Sequence, residues 1–216
     1  LLKGLGLSLG FFHKNTPSLQ KNDFFSSLHR SVKGYLDGHK AFKGPDLAVI
    51  DLTNHCHNSC ICCFTYSSLL KESRPGPEWA RHSLPWDSLE KLLHDLSALR
   101  TERIRFSGGG DPLLYPSLRK ALLLSKKLGF HTSVTSSLLA PQKILDELQS
   151  FPPDELSVSL SGASFNSYQK VHPGIKPEEY DRILNTLSNF RKKTETKIVL
   201  CHVLFKENYQ DLPAMI

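Results

Sequence analysis

The sequence predicts an α/β protein built on a parallel sheet, and three observations predict it. From Leu47 onward, short β-rich runs alternate with longer helical segments. The first run, Leu47-Ala-Val-Ile-Asp-Leu52, is continuous and apolar, as strands buried in parallel sheets are. The strand-then-helix unit recurs five times at a spacing that suits right-handed crossovers, leaving a sheet that either curls into part of a barrel or stays open and doubly wound.

Ahead of the sheet, Phe25, Leu28, Val32 and Tyr35 recur at three- and four-residue steps, predicting a short amphipathic helix capped by Asn22 or Asp23. After the first strand comes a polar, cysteine-rich loop. Ser83 and Pro85 then open a helix whose Leu89, Leu92, Leu93, Leu96 and Leu99 form one apolar stripe ending at Arg100. Ile104 to Phe106 is the second strand, running into Ser107-Gly-Gly-Gly-Asp-Pro112. The next helix carries Leu118, Ala121, Leu122 and Leu128, with Gly129 just past its end. A third strand covers Phe130 to Thr135, a helix follows from about Pro141 to Leu148, and a fourth strand is Leu156 to Leu160. Pro177 starts a helix with Tyr180, Ile183, Leu184, Leu187 and Phe190 on one face, and Lys197 to Phe205 reads as the fifth strand.

Composition limits the function classes. With 216 residues, 39% hydrophobic and 22% charged, the chain has the profile of one globular domain. Its longest apolar stretches fall far short of the roughly 20 residues that span a bilayer. Leu1 to Phe12 is broken by Lys3 and by Gly4, Gly6, Ser8 and Gly10, so it reads poorly as a signal peptide, and a cytoplasmic location with no stable membrane insertion is expected. The net charge is +6, yet Lys and Arg are scattered. Arg191-Lys192-Lys193 is a helix end where cations complement the dipole, so nucleic-acid binding is not expected.

Cys56-His-Asn-Ser-Cys60-Ile-Cys-Cys63 holds four of the five cysteines at the C-terminal end of a strand. Disulfides fit badly, because the count is odd and bridges inside so tight a loop are strained. Structural zinc usually recruits two ligand pairs, and no second pair is present; His55, His57 or Cys62 would complete a cramped site, so a zinc or redox-sensing module stands as the alternative. A cubane cluster suits the spacing better. Three thiolates at intervals of four and three residues wrap three corners and leave a fourth iron without a protein ligand.

With Cys56, Cys60 and Cys63 spaced Cys-x3-Cys-x2-Cys after the first strand, the chain resembles the radical S-adenosylmethionine (radical SAM) superfamily. The resemblance implies a partial (βα)6 TIM-like barrel of parallel strands, with about five βα units present and truncated at the C-terminus. Residues 47–216 would be the core and residues 1–46 an extension. It also implies a 4Fe-4S cluster on the three cysteines whose open iron chelates S-adenosyl-L-methionine. Cys62 falls where the family places an adenine contact; Phe64 is expected to supply that contact and Cys62 to pack rather than ligate.

Other elements extend the likeness. Gly108, Gly109, Gly110 and Asp111 are similar to the family's Gly-Gly-Glu-Pro element, which receives the methionyl ammonium on backbone carbonyls and a carboxylate; here Asp replaces Glu. Thr135-Ser-Ser137 stands where the family has Thr-Asn-Gly, and Ser159-Leu-Ser161-Gly162 resembles Ser-Leu-Asp-Gly, which makes Ser137 and Ser159 candidates for ribose or carboxylate. Val203 and Leu204 fall where the family lays adenine against apolar side chains. The implied reaction is reductive cleavage of S-adenosylmethionine, with an electron from an external donor such as flavodoxin or ferredoxin. It yields a 5′-deoxyadenosyl radical that takes hydrogen from a substrate, first expected to be a peptide or protein and otherwise a small molecule. His55 and His57 receive no role, and His172-Pro-Gly174 reads as a turn with a bystander imidazole.

Overall fold

The computed structural model of the protein describes residues 21–215. The expectation about Leu1 to Phe12 lies outside the described residues, as does the side chain of Phe25. Helix α1 (Lys21–Asp37) contains Asn22 and Asp23 instead of following them. Leu28, Val32 and Tyr35 along it are exposed, so its apolar stripe faces solvent.

Five strands make one sheet: β1 (Leu47–Asp51), β2 (Arg103–Ser107), β3 (His131–Ser136), β4 (Glu155–Ser159) and β5 (Lys197–Cys201). Neighbours are parallel throughout and the spatial order is β1-β2-β3-β4-β5. Crossovers in such sheets share one hand, so a spatial order equal to chain order sends every crossover helix to the same face. A doubly wound sheet requires that order to reverse. The fold is therefore the singly wound, partial-barrel alternative.

The helices are α2 (Pro77–Ala80), α3 (Trp86–Ala98), α4 (Leu118–Lys127), α5 (Gln142–Ser150), α6 (Phe165–Val171), α7 (Pro177–Lys193) and α8 (Leu212–Met215). Alternation along the strands explains the core. Ile50, Ile104, Phe106, Val134, Leu156 and Val158 are buried together with Leu89 and Leu93 of α3, Ala121 of α4, Leu145 of α5, and Ile183 and Phe190 of α7. Each buried Leu, Ile or Phe contributes about 1.5–3 kcal/mol. Local chemistry sets the helix ends: α7 begins at Pro177 with Glu178 and Glu179 in its first turn and closes on Arg191, Lys192 and Lys193. After α4, Gly129 takes a left-handed φ of +82°, as the sequence predicts.

Alternate residues line the opposite face of the sheet, and these are polar apart from Leu47, Val49 and Val199. Asp51 pairs in register with Ser107, and Thr135 with Ser157. One layer toward the strands' N-terminal ends, Glu155 sits 3.0 Å from the Lys197 ammonium and 3.9 Å from the Arg105 guanidinium.

Two features depart from expectation. Strand β5 stops at Cys201. Beyond it, buried Asn208 donates through Nδ2 to the carbonyls of Ser161 and Val203 and accepts from the Phe205 N–H, holding that segment as a loop with Val203 and Leu204 exposed. Helix α6 was not anticipated. It starts at Ser164, whose side chain caps the Ser167 N–H in a reciprocal capping box.

Candidate functional site

The cysteine loop leaves β1 and returns to it. Thr53 bridges to Ser83, the Leu84 N–H donates to the Leu52 carbonyl at 2.8 Å, and the Asn54 N–H to the His82 carbonyl at 2.9 Å. Residues 54–83 are thus an excursion clamped at its neck.

Inside the excursion the backbone donates to sulfur. The Asn58 N–H points at the Cys56 Sγ (3.4 Å), and the Thr65 and Tyr66 N–H groups at the Cys63 Sγ (3.3 and 3.1 Å). Cys56, Cys60 and Cys63 are half-buried, whereas Cys62 is exposed. Burial pushes the Cys56 thiol up to about 11, with the charge of Asp111 and of Cys63 adding to it. Burial likewise pushes Cys60 up to about 12, helped by the neighbouring sulfurs. Packed this way, the two thiols keep their protons at neutral pH until a cationic group displaces them. Neighbouring thiols that feel one another's charge and are supplied with N–H donors fit a thiolate-bound cluster. Among the described residues no three Cys, His, Asp or Glu side chains converge on one point. A cluster asks for no such convergence, since each thiolate binds a different iron.

The glycine turn after β2 lies directly on this loop. Gly110 donates to the Thr53 carbonyl at 2.9 Å and Asp111 to the His55 carbonyl at 2.8 Å. An added Cβ would lie 2.6 Å from the Thr53 carbonyl oxygen at Gly108, 2.7 Å from the Trp79 ring at Gly109 and 2.0 Å from the His55 carbonyl oxygen at Gly110. Bare backbone is required here by the cysteine loop itself, where the sequence had pointed only to a ligand.

Asp111 is 7% exposed. Its carboxylate accepts from the Leu113 N–H, the Ser136 hydroxyl, and the N–H and hydroxyl of Ser137, all at 2.8–3.0 Å. The Ser137 hydroxyl in turn accepts from the Asn58 amide at 2.8 Å. Asn58, Ser137 and Asp111 therefore tie the cysteine loop, the end of β3 and the glycine turn into one unit, and Asp111 faces inward. Ser159, half-buried at the end of β4, stands in register with Cys201 of β5. Phe64 is 83% exposed.

The residue that the sequence left as a bystander is His172. It is 3% exposed, and its Nδ1 lies 3.0 Å from the Cys60 Sγ. The ring stacks on Tyr168 with centroids 4.1 Å apart and planes 17° apart. Burial lowers its pKa to about 4. Only the capping pattern Ser164-x-x-Ser167 signalled the helix that brings it there.

Among solved structures the fold is similar to Streptococcus suis SuiB bound to its precursor peptide SuiA, with a TM-score of 0.65 and 16% identity over 99% of this chain and 45% of that one. It is also similar to TYW1 with a lysine–pyruvate adduct bound, with a TM-score of 0.58 and 23% identity over 86% of this chain and 63% of that one. A curated relative, the S-adenosyl-L-methionine-dependent tRNA 4-demethylwyosine synthase of Methanocaldococcus jannaschii, is 33% identical over 101 residues, which is 47% of this chain and 31% of the relative. The chain thus spans under a third of that relative and under half of SuiB. The profile of the Radical SAM superfamily matches residues 50–216, from within β1 through the cysteine loop and all five strands, and the chain belongs to that superfamily.

Proposed function

We propose that Cys56, Cys60 and Cys63 hold a 4Fe-4S cluster and that the protein uses it to cleave S-adenosylmethionine reductively. The observation carrying this reading is the hydrogen-bonded union of the cysteine loop with the glycine turn at the ends of adjacent strands. When bound, the cluster supplies the electron that splits the sulfonium into methionine and a 5′-deoxyadenosyl radical. The chain's residues do the rest. Three thiolates bind the metal, and the backbone of Gly108 to Gly110 presents a rigid edge for the methionyl end. Asp111 and Ser137 act mainly by locking that edge to the loop, while Ser159 remains a candidate for direct contact with cofactor. An external one-electron donor is required.

For the substrate, a peptide was the expectation from sequence. The curated relative acts, by its name, on tRNA, and that similarity supports a nucleoside of tRNA ahead of a peptide, against the expectation from sequence that nucleic acid is not bound. The polar sheet face bearing Asp51, Ser107, Thr135 and Ser157 suits either in preference to an apolar substrate.

The test is anaerobic reconstitution with iron and sulfide, then addition of dithionite and S-adenosylmethionine. 5′-Deoxyadenosine is expected from the unmodified protein and not from the Cys56, Cys60 and Cys63→Ala triple variant. Zinc without iron or sulfide in anaerobically purified protein would overturn the reading. Adding tRNA or peptide pools and following substrate-dependent methionine release separates the two substrate classes.

A further inference from the structure

The geometry points to His172 as a positioning residue that donates a hydrogen bond from Nδ1 to the Cys60 sulfur and thereby sets the cluster's reduction potential. This inference rests on the proposed cluster, yet its evidence lies on an element outside the cysteine loop. Helix α6 ends against that loop: the Ile61 N–H donates to the Val171 carbonyl at 2.9 Å, and His172 follows immediately. The imidazole cannot swing away, because Tyr168, itself fully buried, stacks on it and the His172 N–H is bonded to the Tyr168 carbonyl at 2.9 Å.

Chemistry fixes the direction of the bond. A metal-bound thiolate carries no proton and can only accept, so a contact of 3.0 Å is attractive only if Nδ1 bears the hydrogen. With the hydrogen on Nδ1, Nε2 is left as a bare acceptor. Nε2 is buried with no hydrogen-bond partner. The opposite tautomer would bury an unpaired N–H there, and it would also set the Nδ1 lone pair against the sulfur. Hydrogen bonds to cluster sulfurs raise the potential by stabilising the more negative, reduced state. The step affected is uptake of one electron from a low-potential donor; the imidazole keeps its proton and transfers none.

The experiment is a mediated redox titration of the anaerobically reconstituted protein followed by EPR, with dithionite as reductant. His172→Phe preserves ring volume and the stack on Tyr168 but removes the N–H. It is expected to shift the potential negative by an amount equal to about tenfold in the reduction equilibrium, about 59 mV for one electron. His172→Asn places an amide N–H near the position of Nδ1 and should recover most of the shift. In unmodified protein labelled with 15N-histidine, pulsed EPR of the reduced cluster should show a nitrogen coupling and an exchangeable proton. An unchanged potential in His172→Phe, or the absence of both couplings in unmodified protein whatever the variants do, overturns the inference. Failure of the unmodified protein to assemble any 4Fe-4S cluster overturns the functional reading beneath it.

Discussion

At Gly110, a single methyl group would have to occupy space 2.0 Å from the His55 carbonyl oxygen, and the other nearest atoms, the carbonyl carbons of His55 and Asn54, are backbone too. Gly110→Ala is therefore expected to part the two loops, at a cost of about 1–3 kcal/mol from overpacking. A lower Tm and reduced iron content after reconstitution would register it, while Gly76→Ala, with open space around the added carbon, should stay within about 0.5 kcal/mol. Asp111 makes the opposite demand, since four donors need a doubly accepting group in a nearly dry site. Asp111→Asn supplies one accepting oxygen and turns an NH2 toward those donors, so a loss of about 2–4 kcal/mol in urea unfolding is expected. The identities of these residues were legible in the sequence, but the inward turn of Asp111 was not. Its partners Ser136 and Ser137 arrive from the next strand, and register between strands is a long-range property.

Among the elements, α6 shows what periodicity leaves out. At seven residues it spans barely two turns, too few for an apolar stripe to repeat, although its capping box stood in the sequence. Ser164→Ala removes the cap and is expected to cost about 1 kcal/mol. The loss should appear both as a lower urea midpoint and as weaker cluster retention under mild chelation, because α6 carries His172 to Cys60. The five strands and the long helices α3, α4 and α7 were legible, since each repeats its apolar positions over several turns or buries a whole run. Strand β5 was overextended for a definite reason. Val203, Leu204 and Phe205 are as apolar as a strand, but the side chains of Asn208 and Ser161 and the turn N–H groups of Asn208 and Tyr209 divert their backbone hydrogen bonds.

For the whole molecule, sequential strand order decided between the two architectures that alternation allowed, a choice carried by no single segment. The three cysteines lie on a loop joined to the glycine turn, the end of β3 and the end of α6 only in the folded chain, so a bound cluster stabilises the folded chain and not the unfolded one. Removing it anaerobically by chelation is expected to lower the Tm by about 5 °C or more, given about 2–4 °C per kcal/mol for a chain of this size. Differential scanning calorimetry of loaded and stripped protein checks this, and equal Tm values would show that the loops are held without metal. The backbone interlock between Thr53 or His55 and Gly110 or Asp111 also determines what can be transplanted. A designer moving the three-cysteine motif onto another parallel barrel would carry over only half a joint. The portable module is the clamped excursion after β1 together with the side-chain-free turn after β2, on two adjacent strands in the same register.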